Sequence, residues 1–141
     1  MLRQLLVGGL ASVCNIAIHA LVMMTVITVA RAIGQNYKRT RPSILVVMMA
    51  ATVSVLMAAH VVEVFVWALT YFVVGAVAPG NDLVYFAYVN YTTLGYGDVV
   101  PVKRWQFLGP MTAMNGVLLF GWSTAVIFEV LRKTIELTRR A

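Results

Sequence analysis

The residues best suited to chemistry are Thr93-Leu94-Gly95-Tyr96-Gly97, a short run between two apolar stretches. Glycine adopts backbone angles that a residue with a Cβ resists, so Gly95 and Gly97 let successive carbonyls turn toward one axis. Carbonyl oxygens arranged in that way replace the hydration shell of a cation such as potassium. The Thr93 hydroxyl supplies one further oxygen. A second set is titratable: His60 and Glu63 stand three residues apart on one helical face, and His19 lies in a separate apolar stretch. Histidine changes charge near neutral pH, so this set reads as a proton sensor. The plainer reading, which we prefer, is a hydrogen-bonded pair between helices. A metal site there needs more ligands than the spacing supplies.

Thr92-Thr93-Leu94-Gly95-Tyr96-Gly97-Asp98 resembles the selectivity filter of the potassium-channel pore family. The following Asp98-Val99-Val100-Pro101 is similar to the Gly-Tyr-Gly-Asp-x-x-Pro pattern of many members. The resemblance spans roughly residues 42–132. It implies that Thr93, Leu94, Gly95, Tyr96 and Gly97 bind potassium, the permeant ion and the sole metal expected. It also implies no other cofactor and no enzymatic chemistry. Asp98 is then an acidic outer mouth or the partner of an aromatic donor behind the filter. Tyr85 stands where many members carry a tryptophan donor, and Val89 where some carry a filter-coupled glutamate. Leu94 departs from the commoner valine or isoleucine, so its larger unbranched side chain must pack differently, with consequences for filter stability and inactivation. One such loop per chain implies a homotetramer around a four-fold axis.

With 61% hydrophobic and 11% charged residues, the chain is too apolar for a soluble domain of 141 residues. Charge-free windows at residues 5–30, 43–62 and 105–128 each reach the roughly 20 residues that a helix needs to cross about 30 Å of hydrocarbon. The expected fold is an all-α membrane protein with three transmembrane helices, a re-entrant pore helix and a filter loop. The net charge of +6 is distributed as a topology signal, not as a nucleic-acid surface. Arg31, Lys38, Arg39 and Arg41 fall in the first loop, and Arg132, Lys133, Arg139 and Arg140 at the C-terminal end. Only Arg3, Lys103 and Arg104 fall on the other side. The positive-inside rule puts the N-terminus and filter outside and the C-terminus in the cytoplasm, across the plasma (inner) membrane. Cys14, the sole cysteine, excludes an intrachain disulfide.

These residues need elements to hold them. An additional N-terminal helix, residues 1–34, is expected to run from about 2 to 33 and stop at Gly34. A turn over 35–41 follows, and Pro42 opens the outer helix. The apolar run 43–77 would make a helix of about 52 Å, so the outer helix is expected to end near Thr70. That leaves 71–79 as a connector, with Trp67, Tyr71 and Phe72 in an interfacial belt. Asn81 or Asp82 caps a pore helix reaching about Thr92, with Tyr85, Phe86, Tyr88 and Tyr91 as an aromatic cuff.

Trp105 is expected to begin the inner helix, whose face Asn115, Leu118, Gly121, Ala125 and Glu129 lines the cavity and gate. Glu129 reads either as an acidic ring or as a partner of Arg132. Gly116 sits near the family's gating hinge, though glycine equally serves close packing. Residues 133–141 form a short cytoplasmic tail, and no arginine-every-third pattern marks a voltage sensor. Two rival readings are a non-conducting regulatory subunit and a proton-linked transporter built on His19, His60 and Glu63.

Overall fold

The computed structural model describes residues 1–36 and 42–139. Four helices follow in order: α1 Leu2–Asn36, α2 Pro42–Val74, α3 Leu83–Tyr91 and α4 Leu108–Arg139, with one 3₁₀ turn at Lys103–Trp105 before α4. No strand occurs among the described residues. Three segments, Leu2–Ala32, Leu45–Val74 and Lys103–Glu136, are long and apolar enough to cross a membrane. The fold is all-α, with α3 as the short helix between the second and third spans. Residues 37–41 and 140–141, including Lys38, Arg39, Arg41 and Arg140 of the orientation argument, lie outside the described residues.

Helix α1 passes through Gly34 to Asn36, and α4 continues through most of the expected tail. Helix α2 does not stop at Thr70 but runs to Val74. Its end is set by Gly75, at φ 60°, where a residue with a Cβ would be strained. The Ala76 N–H closes the turn on the Tyr71 carbonyl at 2.9 Å, a glycine C-cap. Excess length alone was therefore a poor guide to the break, since a long helix can tilt or extend past the hydrocarbon.

The belt assignment fails for Trp67 and Tyr71. Trp67 and Tyr71 are fully buried, whereas Phe72 is 71% exposed. Four residues apart, Trp67 and Tyr71 share the face of α2 turned into the bundle. Their polar ends have internal partners: the Trp67 indole donates to Asn115 Oδ1 at 3.0 Å, and the Tyr71 hydroxyl bonds Thr112. Buried aromatics with polar ends need such partners.

Packing follows in three layers. An apolar cluster around Trp67, Tyr71, Phe86 and Leu108 fills one end. A second, around Met23, Leu56, Val126 and Val130, fills the other. Between them lies a buried polar layer of Asn15, His19, His60, Glu63, Asn115 and Ser123. In hydrocarbon, polar side chains and close backbone approach join helices where apolar burial gives little preference. At the first end, Gln4 Oε1 accepts the Phe107 N–H at 2.9 Å, and the Val102 N–H meets the Ala76 carbonyl at 2.8 Å. These bonds hold the starts of α1 and α4 and the end of α2 together.

Candidate functional site

Helix α3 packs on α2 and α4 and delivers the loop 93–97. Asp82, not Asn81, caps it, accepting the N–H groups of Val84 and Tyr85 at 2.9 and 3.0 Å. At its other end, the N–H of Thr93 turns back to Asn90, and those of Leu94 and Gly95 both reach the Val89 carbonyl, at 2.9 and 3.2 Å. In a planar trans peptide the carbonyl points opposite to the N–H. The carbonyls of Thr93 and Leu94 are therefore aimed away from α3.

Alternate residues Thr93, Gly95 and Gly97 have φ of 61°, 59° and 78°, and Thr93 is the only described non-glycine with positive φ. A β-branched residue held there is a strained conformation of the kind that collects at functional sites. Leu94 and Tyr96 remain 53% and 69% exposed. The Tyr85 hydroxyl donates to Asp98 Oδ2 at 2.6 Å, tying the first turn of α3 to the far end of the loop. That bond holds the Asp98 carboxyl below its ordinary range and pushes the Tyr85 phenol up.

Behind α3 lies the titratable set. His19 Nδ1 and His60 Nδ1 approach the two Glu63 carboxylate oxygens at 2.7 and 2.9 Å, and the Tyr91 hydroxyl donates to Glu63 as well. Ser123 Oγ lies 2.9 Å from His60 Nε2 and 3.3 Å from His19 Nε2. One cluster thus joins all four helices. Its ligand-type atoms lie within 4.8 Å of one another, and each is engaged in a hydrogen bond.

The proton count follows from the partners. Glu63 calls for an N–H from each Nδ1. The Ser123 hydroxyl can donate to only one Nε2. Every atom is satisfied when one imidazole is doubly protonated, giving its Nε2 proton to Ser123 while Ser123 donates to the other ring. One imidazolium then balances one carboxylate, which removes the cost of a lone buried charge.

Next to it, Asn15 donates to Asn115 Oδ1 at 3.0 Å and to the Glu63 carbonyl at 3.2 Å. Asn115 was expected on the cavity-lining face; it is 1% exposed and turned toward α1 and α2. Two partners, Asn15 and Trp67, draw it inward. Leu118, Gly121 and Ala125 are exposed and do share an open face. Glu129 pairs with Arg132 at 2.9 Å and Lys133 at 2.8 Å. Gly116 is buried where an added Cβ would strike the Tyr91 carbonyl oxygen, so its place in the fold is close packing of α4 on the end of α3.

A family model described as ion channel matches residues 18–133, from the second half of α1 to the end of the expected pore module. The chain belongs to this ion-channel family. No curated protein and no solved structure matches the chain. Membership makes it a multi-pass membrane protein of a family that conducts ions passively. Tyr91, expected only in the aromatic cuff, is also bonded to Glu63, and Asn15, Thr112 and Ser123 are site residues that sequence reasoning missed. Their signal was faint: polar groups in otherwise apolar helices, Asn15 standing one turn before His19.

Proposed function

We propose that the chain is one subunit of a homotetrameric, potassium-selective channel. The loop 93–97 of four copies forms its filter. The carrying observation is the left-handed backbone at every second residue from Thr93 to Gly97, with N–H groups turned into α3. Such alternation presents carbonyls on one side, the chemistry that replaces potassium hydration. The exposed Leu94 and Tyr96 side chains fit burial against neighbouring copies. Residues 42–132 act as the pore module and 1–34 as an added helix. The filter faces the outside of the plasma membrane and the C-terminus faces the cytoplasm. Potassium is the permeant ion, with no cofactor or catalytic step.

In this reading the His19–Glu63–His60 cluster is an interhelical lock that fixes Tyr91, two residues before the filter. The face of Leu118, Gly121 and Ala125 lines the cavity. Purified protein in planar bilayers, with a potassium gradient against sodium, tests the proposal. Current reversing near the potassium equilibrium potential is expected. Reversal near zero rejects selectivity, and silence from a purified tetramer points to a non-conducting subunit.

A further inference from the structure

All five acidic side chains of this chain are engaged. Glu63 lies in the lock, Asp82 caps α3, and Asp98 takes the Tyr85 bond. Glu129 and Glu136 pair with Arg132 and Lys133. Arg3, at the start of α1, and Arg104, in the 3₁₀ turn, have no carboxylate partner among the described residues, though both line one cleft. This cleft, of about 510 Å³, lies between the start of α1 and the end of α2, with Leu6, Val73 and Trp105 in its walls. Trp105 contributes a buried indole N–H that also lacks a hydrogen-bond partner.

The cleft continues as a groove. A second hollow of about 370 Å³ shares Val7, Val73 and Val74 with the first and descends between α1 and α2 along Leu10, Cys14, Val66 and Leu69. Its walls are almost wholly apolar, and the Thr70 hydroxyl there is already bonded to the Val66 carbonyl at 2.8 Å. From Arg3 to Cys14 the path along α1 is about 16 Å at 1.5 Å per residue. That matches roughly half of a 30 Å hydrocarbon core, the depth of one leaflet. Arg3 and Arg104 each stand near the start of a span-length apolar segment. Two guanidinium groups without a carboxylate partner among the described residues, above a leaflet-deep apolar groove, are complementary to one kind of molecule.

We infer that this groove holds an anionic membrane phospholipid. Arg3 and Arg104 take its phosphodiester, and one acyl chain lies between α1 and α2. Guanidinium groups suit phosphate because their forked donors match its oxygens. A zwitterionic lipid brings its own cation and leaves the two arginine charges less compensated. The site uses α1, so the added helix gains a role in the bilayer that is independent of what the loop 93–97 conducts.

Native mass spectrometry of the full-length assembly tests this, with phosphatidylglycerol against phosphatidylcholine of equal chain length. We expect phosphatidylglycerol to bind at least about tenfold more tightly, because its headgroup brings no cation to compete with the two arginines for the phosphodiester. The Arg3→Ala/Arg104→Ala pair should abolish that preference, and Val73→Trp should weaken binding of both lipids by filling the groove. Cys14 gives a second readout: phosphatidylglycerol should slow its alkylation by a maleimide in detergent, and inorganic phosphate should not. Equal affinity for the two lipids, or a preference that survives loss of both arginines, overturns the proposal. Protection by inorganic phosphate alone reassigns the cleft to a free anion. Protection that rises with protein concentration and not with lipid gives the groove to a second copy of the chain.

Discussion

The loop 93–97 and the His–Glu lock meet at one residue, Tyr91, and are held in opposite ways. The loop uses backbone: the N–H groups of Thr93, Leu94 and Gly95 turn into α3, Thr93 sits at a strained φ, and its large side chains are open. The lock uses side chains: it is buried, it draws on four helices, and its polar atoms are mutually satisfied. One region is complete within a single chain; the other presents surface that the proposed tetramer would cover. Strain at the loop can persist only where its surroundings over-determine it. The lock supplies part of that constraint from behind, which makes Tyr91 the point where damage to either region should reach the other.

Removing the centre of the lock should have the largest effect. Glu63→Ala leaves two histidines and a tyrosine without their shared acceptor, and breaking a buried pair on one side costs about 3–5 kcal/mol. Thermal unfolding in detergent should show a large loss of stability. Glu63→Gln, which keeps the shape, should fall between the two. Nitrogen NMR of the histidines should give one imidazolium and one neutral ring per chain in the native protein, and two neutral rings in Glu63→Gln. Two neutral rings in the native protein would break the proton count.

Gly116→Ala comes next. Its Cβ meets the Tyr91 carbonyl from the α4 side, and overpacking of this kind costs about 1–3 kcal/mol. Because the clash is with the end of α3, the disturbance should appear in ion selectivity as well as in stability. A changed open probability with unaltered selectivity and stability would instead return Gly116 to a hinge role.

Sequence reasoning found the elements that depend on local signals. A cap at Asn81 or Asp82, the four helices and the Gly-x-Gly backbone follow from residue types within a few positions of one another. It erred where a distant partner decides. Trp67 and Tyr71 look like interfacial aromatics until Asn115 and Thr112 on α4 are seen to receive their polar ends. Asn115 has the spacing of a lining residue, but Asn15, a hundred positions away in the chain, turns it inward. Periodicity identifies a face of a helix and leaves open which neighbour covers it.

Gly95→Ala should affect the loop alone. A side chain at φ 59° costs roughly 1–2 kcal/mol in the left-handed region, well below the loss at Glu63. Folding and the histidine spectra should therefore survive while potassium current is lost. Conduction that persists with native selectivity would show that the loop does not need its alternating backbone.

Tyr85→Phe probes the outer tie with the smallest expected effect. The Tyr85 hydroxyl lowers the Asp98 pKa by stabilising the ionised carboxylate. Its contribution is present above the ordinary carboxylate range and is lost as pH falls through the lowered folded value. In the native protein, inactivation should hold steady down to that acid limit. Without the hydroxyl, the change should begin at a higher pH, closer to that of an ordinary aspartate. Asp98→Asn should remove the acid transition altogether, because no carboxylate is left to titrate. Recordings of inactivation against outside pH decide it: identical profiles for Tyr85→Phe and the native protein would detach this bond from the loop and leave the α3 end, braced by Tyr91 and Gly116, as the support that matters.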